Sequence, residues 1–457
     1  MIRHLINRYR PNLPRALGRF GSQNATNCIL VLPLLHPSLG VQMIIEKSKE
    51  MMRESFQKST YRFAHTPPKR FGTDFGIYIH VPFCRSKCAF CPFYKEIYQE
   101  AEKKRYLKAL TNEINRAEMT GQCSWLYFGG GTPNLLTIDE LASILETIRS
   151  HVDPKSIGIE LLPSIATQEY LCGLANVGFT KISMGVESFQ EKTLVANGRK
   201  PVPPRHVENL LTKCGELGLW SNVDMMIGIR EQAGSTFLPD IESLTTMAPS
   251  QVTLYPHMTI RNAADSSSMS NAEQFSFIEK AGEILVRAGY KRKGVWTFGK
   301  GDDIYDSSRD ELVADYAGFG PTAFSTYGDW KVVNPELDVY CDMHSDKDGR
   351  PLGFIGKKTK AADNWRRFAR MIYDLESHVS PSFPLGISGF CALLGLTGYA
   401  ARGKLTGKGI LFAHEITKTV VESLPFPIQN PRVVENYNDY LACKGNTGTA
   451  HARAAAE

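Results

Sequence analysis

The sequence predicts an α/β protein built on a partial (β/α)6 barrel of the TIM type, followed by a mainly helical C-terminal domain. Three observations carry this. Strand-like and helix-like patterns alternate six times from residue 71 onward, which argues for a parallel sheet covered by helices. A cysteine loop, a triple glycine and isolated acids fall where those strands end, the edge at which such barrels do their chemistry. A length of 457 residues allows two or three units. We expect a leader or extension over 1–70, the barrel with its extension over 71–330, and a C-terminal substrate-side region over 331–457.

The first strand is expected over Gly76–Val81 and a helix over Gln99–Glu118. Ser124–Phe128 is the second strand, running into Gly129-Gly-Gly131-Thr-Pro133. Thr137 and Glu140 have capping-box spacing and start the next helix. Ser156–Leu161 is the third strand, and a helix near Thr167–Asn176 ends at Gly178. Lys181–Gly185, Asn222–Ile227 and Gln251–Tyr255 are the remaining strands, separated by helices at Pro204–Leu217 and Thr236–Thr246. Residues 331–360 read as polar and irregular, with a turn at Asp346–Pro351. Asn364–Glu376 and Ile410–Glu422 read as helices, Pro384–Lys404 as a helical substrate-side cap, and the tail from Gly445 as disordered.

The loop after the first strand carries Cys84, Cys88 and Cys91 at spacing Cys-x3-Cys-x2-Cys. Three thiolates fill three corners of a 4Fe–4S cubane and leave one iron open. The amino and carboxylate groups of a methionine, such as that end of S-adenosylmethionine (SAM), can chelate that iron. The alternatives are a zinc site, which usually wants four ligands in two pairs, or three unrelated buried cysteines.

Other candidates lie at later strand ends. Gly129 and Gly130 remove side chains, so backbone can approach a ligand closely. Glu160 and Asp224 interrupt apolar strands, so each must face a ligand or be paired. Glu187 follows the fourth strand, and Arg199 is either a surface residue or a clamp for a carboxylate. Tyr78 either packs on a bound cofactor or belongs to the core.

Composition narrows the class. The net charge of +6 comes almost wholly from Arg3, Arg8, Arg10, Arg15 and Arg19, ahead of the first acid, Glu46. The rest is nearly neutral and gives no charge-based case for nucleic acid. Residues 1–45 read as a transit-type or disordered leader, or as sequence upstream of a start at Met43, Met51 or Met52. No stretch makes a good membrane span, so at most a peripheral membrane contact is expected. The seven other cysteines are scattered, which fits a reducing, cytoplasmic setting.

Taken together, Ile77–Phe93, Tyr127–Leu135, Ile159–Ser164, Gly178–Phe189, Asn197–Arg199, Asn222–Gly228 and Gly318–Phe324 resemble the oxygen-independent coproporphyrinogen oxidase-like family of radical SAM enzymes. The resemblance implies a cluster on Cys84, Cys88 and Cys91. It also implies SAM contacts at Tyr78, Gly129, Gly130, Thr132, Glu160, Glu187, Arg199 and Asp224, with Tyr78, Glu160 and Glu187 in catalytic roles and one or two SAM molecules bound. It further implies an electron donor such as flavodoxin or ferredoxin and a quinone or tetrapyrrole substrate.

The chain departs from the decarboxylases of that family. Phe93 stands where they have a fourth cysteine, Glu187 where glutamine is usual, and Trp296-Thr-Phe-Gly299 where an Asp-His-Phe-Ala type segment is usual. Thr253–Met258, Gly294–Lys300 and Tyr316–Tyr327 look more like the methyltransferase branch, whose expected reaction is methylation of an sp2 ring carbon such as that of menaquinone. Decarboxylation of coproporphyrinogen and heme delivery are the alternatives. Tyr255, Trp296, Phe298, Phe319, Phe324 and Tyr327 either line a flat aromatic pocket or belong to the core.

Overall fold

A computed structural model of the chain describes residues 61–259, 267–301, 315–345, 351–378 and 385–423, with short pieces at 46, 49–50, 54, 383, 434–437 and 439–441. The arginine-rich start, most of the 346–351 turn, Pro384 and the tail from Gly445 lie outside the described residues.

Six strands form the barrel wall: β1 (Phe75–Val81), β2 (Cys123–Gly130), β3 (Ile157–Leu161), β4 (Lys181–Glu187), β5 (Trp220–Ile227) and β6 (Gln251–Pro256). Each pairs in parallel with the next, in chain order. The side-chain period of two explains what each strand does. One parity is apolar and fully buried: Ile77, Ile79, Ile159, Ile182, Met184, Val223, Met225 and Ile227. The other parity carries Tyr78, His80, Glu160, Ser183, Asn222 and Asp224, which therefore share the opposite face.

The connecting helices are set by local signals. Thr137 caps the helix Ile138–Arg149 in a reciprocal capping box with Glu140. Thr167 caps Gln168–Val177, which Gly178 ends in the left-handed region at φ 103°.

The sheet extends beyond the expected barrel at both edges. β7 (Thr297–Gly299) adds antiparallel to β6, and β8 (Tyr316–Phe319) adds parallel to β1. β9 (Phe324–Tyr327), β10 (Trp330–Val333) and β11 (Leu352–Lys357) continue as an antiparallel ribbon, and the strand Tyr61–His65 pairs with β11. Both expected boundaries, at 70 and 330, thus fall inside one continuous sheet. Residues 331–360 are corrected from irregular to β10, a helix at Leu337–Met343 and β11. The misreading has a physical cause. β10 is four residues long and contains Lys331, and Gly353 and Gly356 interrupt the apolar run in β11. Phe63, Phe354, Tyr437 and Tyr440 form a second small core on this ribbon, with ring centroids of neighbouring pairs 4.7–5.1 Å apart.

Gly318 shows how tightly the extension is joined to the barrel. A Cβ there would lie 1.9 Å from the carbonyl oxygen of Phe324, a backbone atom that cannot step aside. Gly318→Ala is therefore expected to destabilise the fold by about 3 kcal/mol. A lowered denaturation midpoint checks this, and an unchanged midpoint would refute the close packing.

The helix Gly407–Ser423 docks on the barrel through a buried polar chain. Trp296 Nε1–H donates to His414 Nδ1 at 2.9 Å, and His414 Nε2 meets Glu279 at 2.7 Å. Arg292 grips the same carboxylate through two nitrogens at 2.8 and 2.7 Å. The expected cap at Pro384–Lys404 contains the helix Leu385–Leu396 followed by a two-stranded hairpin at 400–405.

Candidate functional site

The cysteine loop leaves β1 and is held from two sides. Cys84 O accepts Tyr98 N–H at 2.9 Å, and Ala89 N–H donates to Asn197 O at 3.1 Å. His80 ties the strand end to the loop. Its Nε2 meets Tyr94 O at 3.2 Å and its Nδ1 meets Tyr78 Oη at 3.1 Å. A carbonyl can only accept, so Nε2 carries the proton and Nδ1 accepts from the Tyr78 hydroxyl. Burial pushes the His80 pKa down to about 4, which keeps this tautomer neutral.

Cys84 is buried, and Cys88 and Cys91 are half-buried; all three are free thiols. Burial raises the Cys84 and Cys88 thiols above the ordinary value. Thr132 Oγ1–H donates to Cys84 Sγ at 3.4 Å, so the threonine after the triple glycine touches the thiol loop. Among the described residues, no three His, Cys, Asp or Glu side chains converge as a single metal ion would require. A cubane instead spreads its thiolates over separate irons. A loop with three free, unbridged thiols fits that donor set.

The triple glycine serves internal packing. A Cβ on Gly130 would lie 2.6 Å from the His80 ring, and one on Gly131 would lie 2.6 Å from Phe83 O. At Gly129 it would crowd Tyr78, Tyr127 and Glu160 at 3.0–3.2 Å. Protein atoms fill the Cβ side of each of these glycines, and β2 thereby closes onto β1 and the thiol loop.

Glu160, Glu187 and Asp224 lie close enough to influence one another's charge. Glu160 accepts from Tyr127 Oη–H at 2.9 Å and from Gly130 N–H at 3.3 Å. Among the described residues no cation pairs with it. Burial, then repulsion from Asp224, pushes its pKa up to about 8 despite the Gly130 hydrogen bond. Burial also pushes Glu187 up, against the pull of Arg199, to about 7. Asp224 is held by Ser183 Oγ–H at 2.7 Å and by Asn222 Nδ2–H at 2.8 Å.

Glu187 adopts φ 68°, in the left-handed region, where the β4–β5 register slips by one residue. Arg199 lies 3.4 Å from Glu187 Oε1 and 3.9 Å from Cys88 Sγ, and it donates to Gly185 O. Its guanidinium also sits over the Phe90 ring, 5.8 Å from the centroid. Arg199 is therefore a link between the thiol loop and the carboxylates.

The structure thus brings Tyr78, Thr132, Glu160, Glu187, Arg199 and Asp224 to the same end of the sheet as Cys84, Cys88 and Cys91. One buried and two half-buried carboxylates against one guanidinium make a site that favours added positive charge. SAM has that chemistry: a sulfonium and an ammonium for the carboxylates, and a carboxylate for an arginine. The site holds partners that the sequence reading missed, namely Tyr127, Ser183, Asn222 and Phe90. Parity offered a signal for two of them, since Ser183 and Asn222 alternate with buried apolar neighbours as Glu160 does.

The sequence profile of the radical SAM superfamily matches residues 78–244. This stretch spans the thiol loop and every carboxylate just described.

The chain carries a radical SAM domain.

That domain's cofactors are a 4Fe–4S cluster and SAM, and the thiol loop and carboxylate site fit them. The chain is 26% identical over 337 residues to the oxygen-independent coproporphyrinogen III oxidase of Escherichia coli, covering 67% of this chain and 72% of that protein. It is 30% identical over 190 residues to the heme chaperone HemW of Synechocystis, covering 39% and 46%. The solved structure of the E. coli coproporphyrinogen III oxidase superposes with a TM-score of 0.64 at 21% identity, covering 79% of this chain and 96% of that one, which shows a shared fold. Among the described residues of this radical SAM protein, no helix is long and apolar enough to cross a membrane.

The aromatic residues expected around a flat substrate divide. Phe298, Phe319 and Tyr327 are core: Phe298 packs beneath Gly282, Phe319 beneath Lys69, and Tyr327 donates to Pro67 O. Trp296 is buried and meets the half-buried Tyr255 edge-on at 6.1 Å. Tyr255 and Phe324 keep partial exposure.

Proposed function

We propose that this radical SAM protein directs its chemistry at a tetrapyrrole. The carboxylate trio with Arg199, beside the three-thiol loop, supports the radical SAM chemistry, and the relatives support the tetrapyrrole. A 4Fe–4S cluster held by Cys84, Cys88 and Cys91 would supply one-electron reductive cleavage of SAM. In this reading Glu160, Glu187 and Asp224 offset the cofactor's positive charge. Arg199 holds its carboxylate, and Tyr78, fixed by neutral His80 and lying near Tyr127 with ring centroids 6.4 Å apart, forms a wall of the site.

The tetrapyrrole class is supported by the names of the relatives, and oxidative decarboxylation of a porphyrinogen's propionates is the reaction those names support. A second reading, methyl transfer to an sp2 carbon of an aromatic substrate such as menaquinone, is supported by Thr253–Met258, Gly294–Lys300 and Tyr316–Tyr327, which look more like the methyltransferase branch. Phe93, 54% exposed, stands where the decarboxylases of the family have a fourth cysteine and so speaks against decarboxylation.

Anaerobically reconstituted protein, a reductant and SAM, tested in turn with coproporphyrinogen III, heme and menaquinone, separate these readings by product mass. Deoxyadenosine with carbon dioxide marks decarboxylation. Deoxyadenosine with S-adenosylhomocysteine and a product heavier by one methylene marks methyl transfer. Tight heme binding without turnover, or turnover of menaquinone alone, would overturn the proposal.

A further inference from the structure

We infer that Lys331 and Arg366 form a binding site for a carboxylate, the propionate arm of a tetrapyrrole bound in the barrel. The inference rests on the tetrapyrrole reading and deepens it by naming what holds the substrate's charged edge.

Lys331 lies on β10 and Arg366 on the helix Lys360–Tyr373. The register sets Lys331 opposite Thr326, Thr326 opposite Tyr316, and Tyr316 opposite Gly76 on β1. Directly opposed residues share a face, so Lys331 stands on the face that carries Tyr78 and Glu160. It is three strands across and two residues down from Tyr78, roughly 16 Å along the sheet. A tetrapyrrole ring with its propionate arms spans that distance, so a macrocycle beside the SAM site reaches this point.

A buried lysine without an acid of its own needs a reason. Lys331 is only 9% exposed, yet it makes no hydrogen bond or ion pair among the described residues. Arg366 Nε is buried and likewise has no hydrogen-bond partner among them. The nearby acids are already engaged. Arg366 pairs with Asp363 through a terminal nitrogen, and Lys358 pairs with Asp315 at 2.5 Å. Asp329, in the turn before β10, is exposed, and burial keeps the Tyr61 phenol near Arg366 un-ionised. Asp363 also attracts Lys331, but burial and the Arg366 charge outweigh it and push the lysine's pKa down to about 8. One cation thus remains in excess beside a donor that has no acceptor. A carboxylate answers both, with one oxygen for each nitrogen. Menaquinone has no carboxylate, so this pair favours the tetrapyrrole.

The test is equilibrium dialysis of reconstituted, SAM-loaded protein against coproporphyrin III, which keeps the propionates of the porphyrinogen and is read by its fluorescence. K331M and R366Q should each weaken binding about tenfold, the loss of one charge-assisted hydrogen bond, with iron content and SAM binding unchanged. K331R should stay near wild type. The methyl ester of coproporphyrin III, in the same nonionic detergent, should not distinguish K331M from wild type. Ligand-free K331M should be at least as stable as wild type, because methionine fills the space without a buried charge. Equal binding of the acid by wild type and both variants would overturn the inference, as would an ester that loses as much affinity as the acid. So would a K331M protein that denatures well below wild type, since the lysine would then serve an internal pair. Should R366Q not fold, K331M decides. Wild-type protein that binds neither coproporphyrin III nor heme would sink the tetrapyrrole reading itself, whereas porphyrin binding indifferent to both substitutions sinks only this site.

Discussion

Anaerobically reconstituted Cys84→Ala protein is expected to hold no cubane, its iron dropping from about four atoms per chain to background. Three protein thiolates is the least that leaves a single open iron, so the loss of one exposes a second corner. Cys84 is held through its backbone, its sulfur and its burial. Its carbonyl takes Tyr98 N–H, its sulfur takes Thr132 Oγ1–H, and it is the buried member. Cys123→Ala is the matched control. That thiol is buried in the core on β2, where burial pushes its pKa up to about 12, and its removal should leave the iron content intact. Iron and sulfide analysis with the visible spectrum checks both. A Cys84→Ala protein that kept the wild-type band would remove the foundation of the cluster assignment.

The second large effect is a dependence of stability on pH in the cofactor-free protein. Glu160 has a pKa near the ordinary 4.5 when unfolded and about 8 in the fold, first because it is buried and then because Asp224 repels its charge. A carboxyl with a raised folded pKa favours folding most when protonated. Its contribution is complete below about pH 4.5 and is lost as pH rises through 8. Glu187, raised to about 7, adds a loss in the same direction that ends earlier. Denaturation at pH 6 and pH 9 should therefore show wild-type protein losing roughly 2 kcal/mol or more at the higher pH. Glu160→Gln should lose clearly less, since the amide can still accept Gly130 N–H and donate to Tyr127 Oη but does not ionise. Equal losses in the two proteins would show that Glu160 is not held protonated.

The strained and crowded positions explain why the site was only partly legible. Cys84, Cys88 and Cys91 announce themselves because their chemistry depends on spacing along the chain, which a single loop fixes. Glu160 and Asp224 stand out because a charge in an apolar strand needs a reason. The triple glycine was visible as a motif, but its physical role was not. Only the approach of His80 on β1 and of Phe83 just past it shows that its missing side chains make room for protein. Glu113 illustrates the same limit. It is an unremarked acid on the helix Glu100–Asn115, yet in the fold it is buried and collects Lys69 at 2.8 Å, Gly320 N–H at 2.9 Å and Tyr340 Oη–H at 2.6 Å. Burial alone would raise its pKa, but Lys69 holds it down to about 2. None of those partners lies within forty residues of it in sequence.

The sequence by itself determined the alternation of strands and helices, the thiol loop and most of the charged side chains that meet it. These follow from local periodicity, capping and spacing, which act over a few residues. Tertiary structure alone decided which aromatics are core, how the carboxylates shift one another, and that β10, β11 and Tyr61–His65 complete the barrel's sheet. Those outcomes depend on contacts between distant segments, where burial and mutual repulsion are set by the packed fold.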